Sequence, residues 1–202
     1  MKALVCNEFA TIDKLNLEDK PVPKPSKGEV LIDVKAAGVN FPDLLTVQGK
    51  YQIKPPLPFI PGTEVAGVVT AVGESVTRRK VGDKVIATTQ IGGFAEQCVA
   101  PEYATIEMAE SMSFPQAAGF SITYGTSYYA LKQRANLQAG ETVLVLGAAG
   151  GVGIATIQIA KAMGAKVIAA ASSEEKLDLP LRPVLICALI IPLNPSRIKL
   201  RS

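Results

Sequence analysis

Short alternating or β-rich runs dominate the first hundred residues: Ala3 to Cys6, Val30 to Ala36, Val65 to Val72, Lys84 to Ala87 and Gln97 to Val99. Strands with one buried face alternate in this way, and the Gly and Pro clusters between the runs predict a small barrel-like β domain. The Pro-rich segments "KPVPKPSKGE" (Lys20 to Glu29) and "KPPLPFIPG" (Lys54 to Gly62) are connectors, because proline cannot donate to a ladder or sit inside a helix.

From Ser113 the period changes. Ser113 as N-cap, Pro115 in the first turn and apolar residues at helical spacing predict a helix, a break near Gly125, and a second helix ending around Asn136. A strand over Thr142 to Leu146 follows, then the turn "GAAGGVG" (Gly147 to Gly153), a helix over Gly151 to Met163 capped by Gly164, and a strand over Lys166 to Ala171. Strand, turn, helix and strand in this order make a βαβ unit with a parallel pair.

Composition narrows the chemistry. The 202 residues are 48% hydrophobic and 19% charged with a net charge of +3, an ordinary globular balance. Trp is absent and the basic residues form no stripe, so no nucleic-acid partner is expected. There is no histidine, which removes Ser-His-Asp and Cys-His catalysis and His-ligated metals. The three cysteines, Cys6, Cys98 and Cys187, are far apart; they suit neither a disulfide scaffold nor a local zinc site and read as small buried apolar residues. No metal site is therefore expected. The opening "MKALVCNEFA" has no signal-peptide h-region, and the apolar run Val184 to Ile191 falls short of the ~20 residues needed to span a bilayer, so a cytoplasmic protein without a membrane partner is expected.

The glycine turn suits a dinucleotide, although a turn that merely joins strand to helix is the alternative reading. Matched to GxGxxG, the three positions are Ala148, Gly150 and Gly153, one for the tight turn, one for approach to the pyrophosphate, and one for helix–strand packing. The pyrophosphate would lie on the amides of Gly150, Gly151, Val152 and Gly153 at the helix N-terminus. An NAD site carries Asp or Glu at the end of the second strand; here that position is Ala171, followed by Ser172, Ser173 and Lys176. Hydroxyls and an ammonium suit a 2′-phosphate, which a carboxylate would repel, so NADPH is expected over NADH. Taken alone, Lys176 is equally a solvated surface lysine.

"AAGVNFPD" (Ala36 to Asp43), "PGTEVAGVVTAVG" (Pro61 to Gly73), "VGDKV" (Val81 to Val85), "YGTSYYAL" (Tyr124 to Leu131) and "GAAGGVG" occur in an order that resembles the medium-chain dehydrogenase/reductase superfamily. Within it, the chain is most similar to the zinc-independent NADPH:quinone oxidoreductases. The resemblance covers about residues 1 to 178. It implies an α/β fold with a β-rich N-terminal part: a GroES-like barrel carrying catalytic and substrate functions over 1–120, a partial Rossmann domain for NADP over 121–178, and a divergent Pro-rich tail over 179–202. Zinc-dependent relatives carry a Gly-His-Glu motif where this chain has Gly62-Thr63-Glu64, and a catalytic Cys near Asn40.

The resemblance further implies hydride transfer from NADPH to a quinone or α,β-unsaturated carbonyl without zinc. Asn40 and Thr126 would lie beside the nicotinamide, with Tyr51 in the substrate and cofactor cleft. On residue chemistry alone, Asn40 equally caps a turn before Pro42, Thr126 equally bonds its own helix backbone, and Tyr51 equally packs on prolines. A tyrosine found in some members is Leu45 here. The resemblance also implies a homodimer for full-length members.

Beyond Leu179 the expected βα alternation gives way to "PLRPVLICALIIPLNPSRIKLRS", with prolines at 180, 183, 192 and 195. A sheet with only its first two strands is expected there. This leaves a second expectation: a truncated, catalytically incompetent chain acting at most through interaction.

Overall fold

The computed structural model describes residues 1–178, 187–190 and 199–201, and the chain divides into two compact units, Met1–Ser121 and Ile122–Ser202. In the first, β1 (Lys2–Val5) and β2 (Asn16–Asp19) form an antiparallel ribbon. A second, five-stranded sheet runs β6 (Gln97–Pro101), β3 (Glu29–Gly38), β4 (Glu64–Val72), β5 (Lys84–Thr88) and β7 (Thr105–Glu107), antiparallel throughout. Each strand containing a predicted run matches it to within two residues at either end. The strands β2 and β7, only a few residues long, were not predicted.

Alternation decides which face each residue serves. Val30 and Ile32, Val65 and Val69, Val85 and Ala87, and Cys98 and Ala100 form one buried cluster. Ala66 and Ile86, on the opposite face, pack with Met108, Ala117 and Ala118, the last two from α2 (Phe114–Ala118). The Cys98 thiol is 3% exposed, and burial pushes it up to about 12.

α2 starts as predicted: Ser113 caps it, Pro115 lies in the first turn, and the Gln116 side chain accepts from the Ser113 N–H at 2.9 Å. The break, however, falls at Gly119 and not near Gly125. α3 (Ser121–Tyr128) runs straight through Gly125 and passes into a π-helical turn, Tyr129–Arg134. Gly125 has open space around its Cβ position, so it costs the helix only about 1 kcal/mol of propensity. The chain leaves this helix at Asn136, which has φ +50°.

In the second unit, β8 (Thr142–Leu146) pairs in parallel with β9 (Lys166–Ala171), and α4 (Gly151–Ala162) crosses between them. Ile157 and Ala160 of α4 pack onto Val145, Val167 and Ala169. The expectation of only two strands is corrected. β10 (Cys187–Ile190) pairs in parallel with β9, from Cys187 opposite Ile168 to Ile190 opposite Ala171. β11 (Lys199–Arg201) then pairs antiparallel with β10, giving the order β11-β10-β9-β8. The open edge of β9 offers a row of backbone donors and acceptors, and a four-residue run free of proline can satisfy it although prolines flank it. The rest of the predicted Pro-rich tail lies outside the described residues. Among the described residues, no helix is long and apolar enough to cross a membrane.

Candidate functional site

The turn after β8 is built around close backbone approach. Gly147 takes φ +67°, and its carbonyl accepts from the Gly150 N–H at 3.0 Å. The Ala148 N–H donates across to the Ala170 carbonyl of β9 at 3.0 Å, pinning the turn to the sheet. A Cβ on Gly153 would stand 2.4 Å from the Gly147 oxygen and 2.8 Å from the Ala148 Cα, so only glycine fits. The tight-turn role therefore belongs to Gly147. Ala148, placed there by the sequence match, is instead fully buried in the unit's apolar core. Gly150 is the N-cap of α4 and supplies no side-chain acceptor to its first amides.

A cleft of about 700 Å³ opens beside this turn, lined by Leu146, Gly147, Gly150, Ala171, Ser172 and Lys176 among others. The Lys176 ammonium donates to Ser172 Oγ at 2.9 Å, and the Lys176 N–H reaches Ser173 Oγ at 3.4 Å. The three residues predicted for a 2′-phosphate thus form one hydrogen-bonded set at the end of β9. Ala171 is buried there, 7% exposed.

Thr126 stands exposed on α3. Its neighbour Ser127, 1% exposed, bonds that helix's backbone, with its Oγ 2.8 Å from the Thr123 carbonyl and 3.1 Å from that of Val152. Thr156 Oγ1 donates to Ser127 Oγ at 2.9 Å and also lies 2.7 Å from the Val152 carbonyl. Two small hydroxyls therefore tie α3 to the first turn of α4. The sequence reading missed both; the only signal was a serine and a threonine on facing helix stripes.

In the first unit, Asn40 is the N-cap of a helix, α1 (Phe41–Val47), rather than of a simple turn. The Asp43 carboxylate accepts from the Asn40 N–H at 2.8 Å and from Thr63 Oγ1 at 3.0 Å. The Asn40 side-chain amide donates to Glu64 Oε2 at 3.2 Å, and Glu64 is fully buried. Gly38 makes room for this set, since a Cβ there would lie 2.9 Å from Glu64 Oε2 and 2.3 Å from the Ala118 carbonyl. Asp43, Thr63 and Glu64 were not singled out as functional from sequence, although Asn40 followed three residues later by Asp43 is a capping-box signature. Tyr51 is half-buried after the turn that closes α1 and makes none of these hydrogen bonds. Among the described residues, no three His, Cys, Asp or Glu side chains gather as a metal would need.

Burial pushes the Asp43 carboxyl above its usual 3.8, against the lowering effect of the Asn40 and Thr63 hydrogen bonds. The folded state thus holds this proton more tightly than the unfolded chain. Its contribution to stability is complete below pH 3.8 and is lost as pH rises through the raised value. Asp43→Asn, which cannot ionise, is therefore expected to gain in Tm relative to the unsubstituted chain as pH climbs through the acidic range. Paired melting curves check this, and a gap that stays constant or moves the other way refutes it.

Residues 26–120 match the family described as alcohol dehydrogenase GroES-like domain, and residues 151–182 that described as zinc-binding dehydrogenase. The quinone oxidoreductase-like protein 2 homolog of Nematostella vectensis is 47% identical over 179 residues, 87% of this chain and 48% of that protein. Human quinone oxidoreductase is 43% identical over 177 residues, 87% of this chain and 54% of its own length. The quinone oxidoreductase of Thermus thermophilus, whose structures include a complex with NADPH, superposes with a TM-score of 0.82 at 40% identity, covering 93% of this chain and 59% of that one. The chain thus spans about half the length of the curated relatives it matches.

Proposed function

The chain belongs to the medium-chain dehydrogenase/reductase superfamily, in its quinone oxidoreductase family, and from that membership we propose that it binds NADPH and serves hydride transfer to a quinone or α,β-unsaturated carbonyl without zinc. The observation that carries the proposal is the second unit's cleft, where the glycine turn and the Ser172–Lys176 pair line one space beside a small, uncharged Ala171.

The residues fit the cofactor. The absence of a Cβ at Gly153 lets the turn close, and the amides of Gly151, Val152 and Gly153 at the start of α4 suit a pyrophosphate, whereas the Gly150 N–H, expected to join them, already donates to the Gly147 carbonyl. Ser172, Ser173 and Lys176 offer two hydroxyls and one positive charge to a 2′-phosphate. When bound, NADPH supplies the hydride. The protein's share is to orient and exclude: Asn40 and Thr126 are assigned to the nicotinamide, and Tyr51 to the substrate and cofactor cleft. The donor set does not suit zinc, because the chain has no histidine, carries Thr63 at the position of the zinc-dependent relatives' His, and has Asn40 near that of their catalytic Cys. The match described as zinc-binding dehydrogenase begins at α4, beside the glycine turn.

Fluorescence titration is expected to show NADPH binding about tenfold or more tighter than NADH, the equivalent of one lost charge-assisted contact. Ala171→Asp should cut NADPH affinity at least about tenfold and narrow or reverse that preference. Equal affinities in the unsubstituted chain would overturn the cofactor assignment. Absence of NADPH-driven reduction of 1,4-benzoquinone and of an enone would overturn the reaction.

A further inference from the structure

We infer that Glu64 is a positioning residue that fixes which edge of the Asn40 carboxamide faces the bound ligand. The inference rests on the reading of Asn40 as a nicotinamide contact, and it starts from a placement that the sequence motif does not explain. Glu64 opens β4, fully buried, and accepts from Asn40 Nδ2 at 3.2 Å. Asn40 is also held from its other end, because its backbone N–H donates to Asp43 Oδ2 at 2.8 Å and Thr63 locks that carboxylate at 3.0 Å.

An asparagine side chain is nearly symmetric in shape but opposite in polarity at its two ends. A ligand that must meet Oδ1 as acceptor loses its contact if the amide turns by half a revolution. Asp43 and Thr63 fix the backbone of Asn40, and the capping box turns the oxygen end of its side chain toward the Asp43 N–H without closing a full hydrogen bond, so that end alone does not hold the amide rotation. The Glu64 oxygen does, by taking Nδ2. The absent side chain at Gly38 leaves room for that oxygen, since a Cβ would press on it at 2.9 Å. Glu64 touches no reacting atom in this scheme; it acts through Asn40.

The test uses the full chain labelled with 15N. In the unsubstituted protein, one Nδ2 proton of Asn40 should exchange with solvent at least about tenfold more slowly than those of exposed Asn136, as a hydrogen-bonded proton does. Glu64→Met keeps the side-chain length and removes the acceptor. It should abolish that protection and lower kcat for NADPH and 1,4-benzoquinone on the order of 10–100-fold, the cost of a misaligned contact. Binding of 2′,5′-ADP, which lacks the nicotinamide, should be unchanged. Glu64→Gln retains one acceptor oxygen and should restore part of both the protection and the turnover.

Asn40 protons that exchange as fast as those of Asn136 in the unsubstituted protein overturn the inference, even if Glu64→Met fails to fold. Protection that survives in folded Glu64→Met does the same. A kcat loss in Glu64→Met matched by an equal loss of 2′,5′-ADP affinity also overturns it, because that pattern marks general disruption. An unsubstituted chain that shows the protection but no NADPH oxidation leaves Glu64 as the group orienting Asn40 and removes the proposed reaction alone.

Discussion

Gly153→Ala is expected to lose NADPH affinity by about 100-fold or more and to destabilise the second unit by about 1–3 kcal/mol. The new methyl would lie 2.4 Å from the Gly147 oxygen, 2.8 Å from the Ala148 Cα and 2.9 Å from the Ala148 carbonyl carbon. All three are backbone atoms, so no rotamer change relieves the overlap and either the turn or α4 must move. Ala148 is pinned to β9 through Ala170, which leaves the start of α4 as the part that yields. Two misdirected amide–phosphate bonds at about 1.5 kcal/mol each account for the loss in affinity. The neighbouring glycines give the control. Gly147→Ala meets open space but carries φ +67°, a strain of about 1–2 kcal/mol. Gly150→Ala, at φ −79° and 3.4 Å from the nearest atom, should be the mildest. Equal effects at Gly153 and Gly150, by calorimetry and NADPH titration, would mean that close approach does not shape this turn.

Gly38→Ala should be the most damaging small substitution near Asn40, costing about 2–3 kcal/mol of first-unit stability. Its Cβ would collide with the Ala118 carbonyl at 2.3 Å while also pressing on Glu64 Oε2. α2 covers the Ala66 and Ile86 face of the sheet through Ala117 and Ala118, so moving Ala118 opens apolar packing as well as the polar set. Gly125→Ala provides the opposite sign. That glycine lies inside α3 with nothing near its Cβ position, and alanine there should be neutral or stabilising by up to about 1 kcal/mol. A Gly38→Ala chain that melts with the unsubstituted one would show that α2 slides on the sheet without cost.

The βαβ segment was legible because each of its signals is local. The run Thr142–Leu146, the glycine turn, the helical period of α4 and the run Lys166–Ala171 follow one another without a gap in meaning. The long barrel strands were legible for the same reason. Short elements were not: α1 has seven residues with a proline in its first turn, and β7 has three. Their existence depends on partners elsewhere in the chain, Val85 to Ala87 in the case of β7. β10 was hidden by the prolines on either side of it, since proline punctuation reads as coil until an open parallel edge is there to recruit the residues between.

The polar residues divide along the same line. Ser172 and Lys176 are four positions apart, and their pairing could be foreseen. Asn40 and Glu64 are separated by 24 positions, Asp43 and Thr63 by 20, and Ser127 and Thr156 by 29. No spacing rule reaches that far. Glu64 in particular reads from sequence as part of a motif lacking its histidine, and only burial beside Asn40 gives it a task.

The placement of Cys98 on β6, beneath the apolar face of the barrel sheet, also determines how that thiol meets the outside world. A thiolate is the species that attacks peroxides, maleimides and electrophilic quinones, and a thiol held up to about 12 and 3% exposed supplies almost none of it. An electrophilic quinone can therefore meet the surface of the first unit without being trapped at this sulfur. Paired with Ile32 across β3 and 3% exposed, Cys98 is reached through a local opening of its surroundings, and an adduct on it would report such an opening.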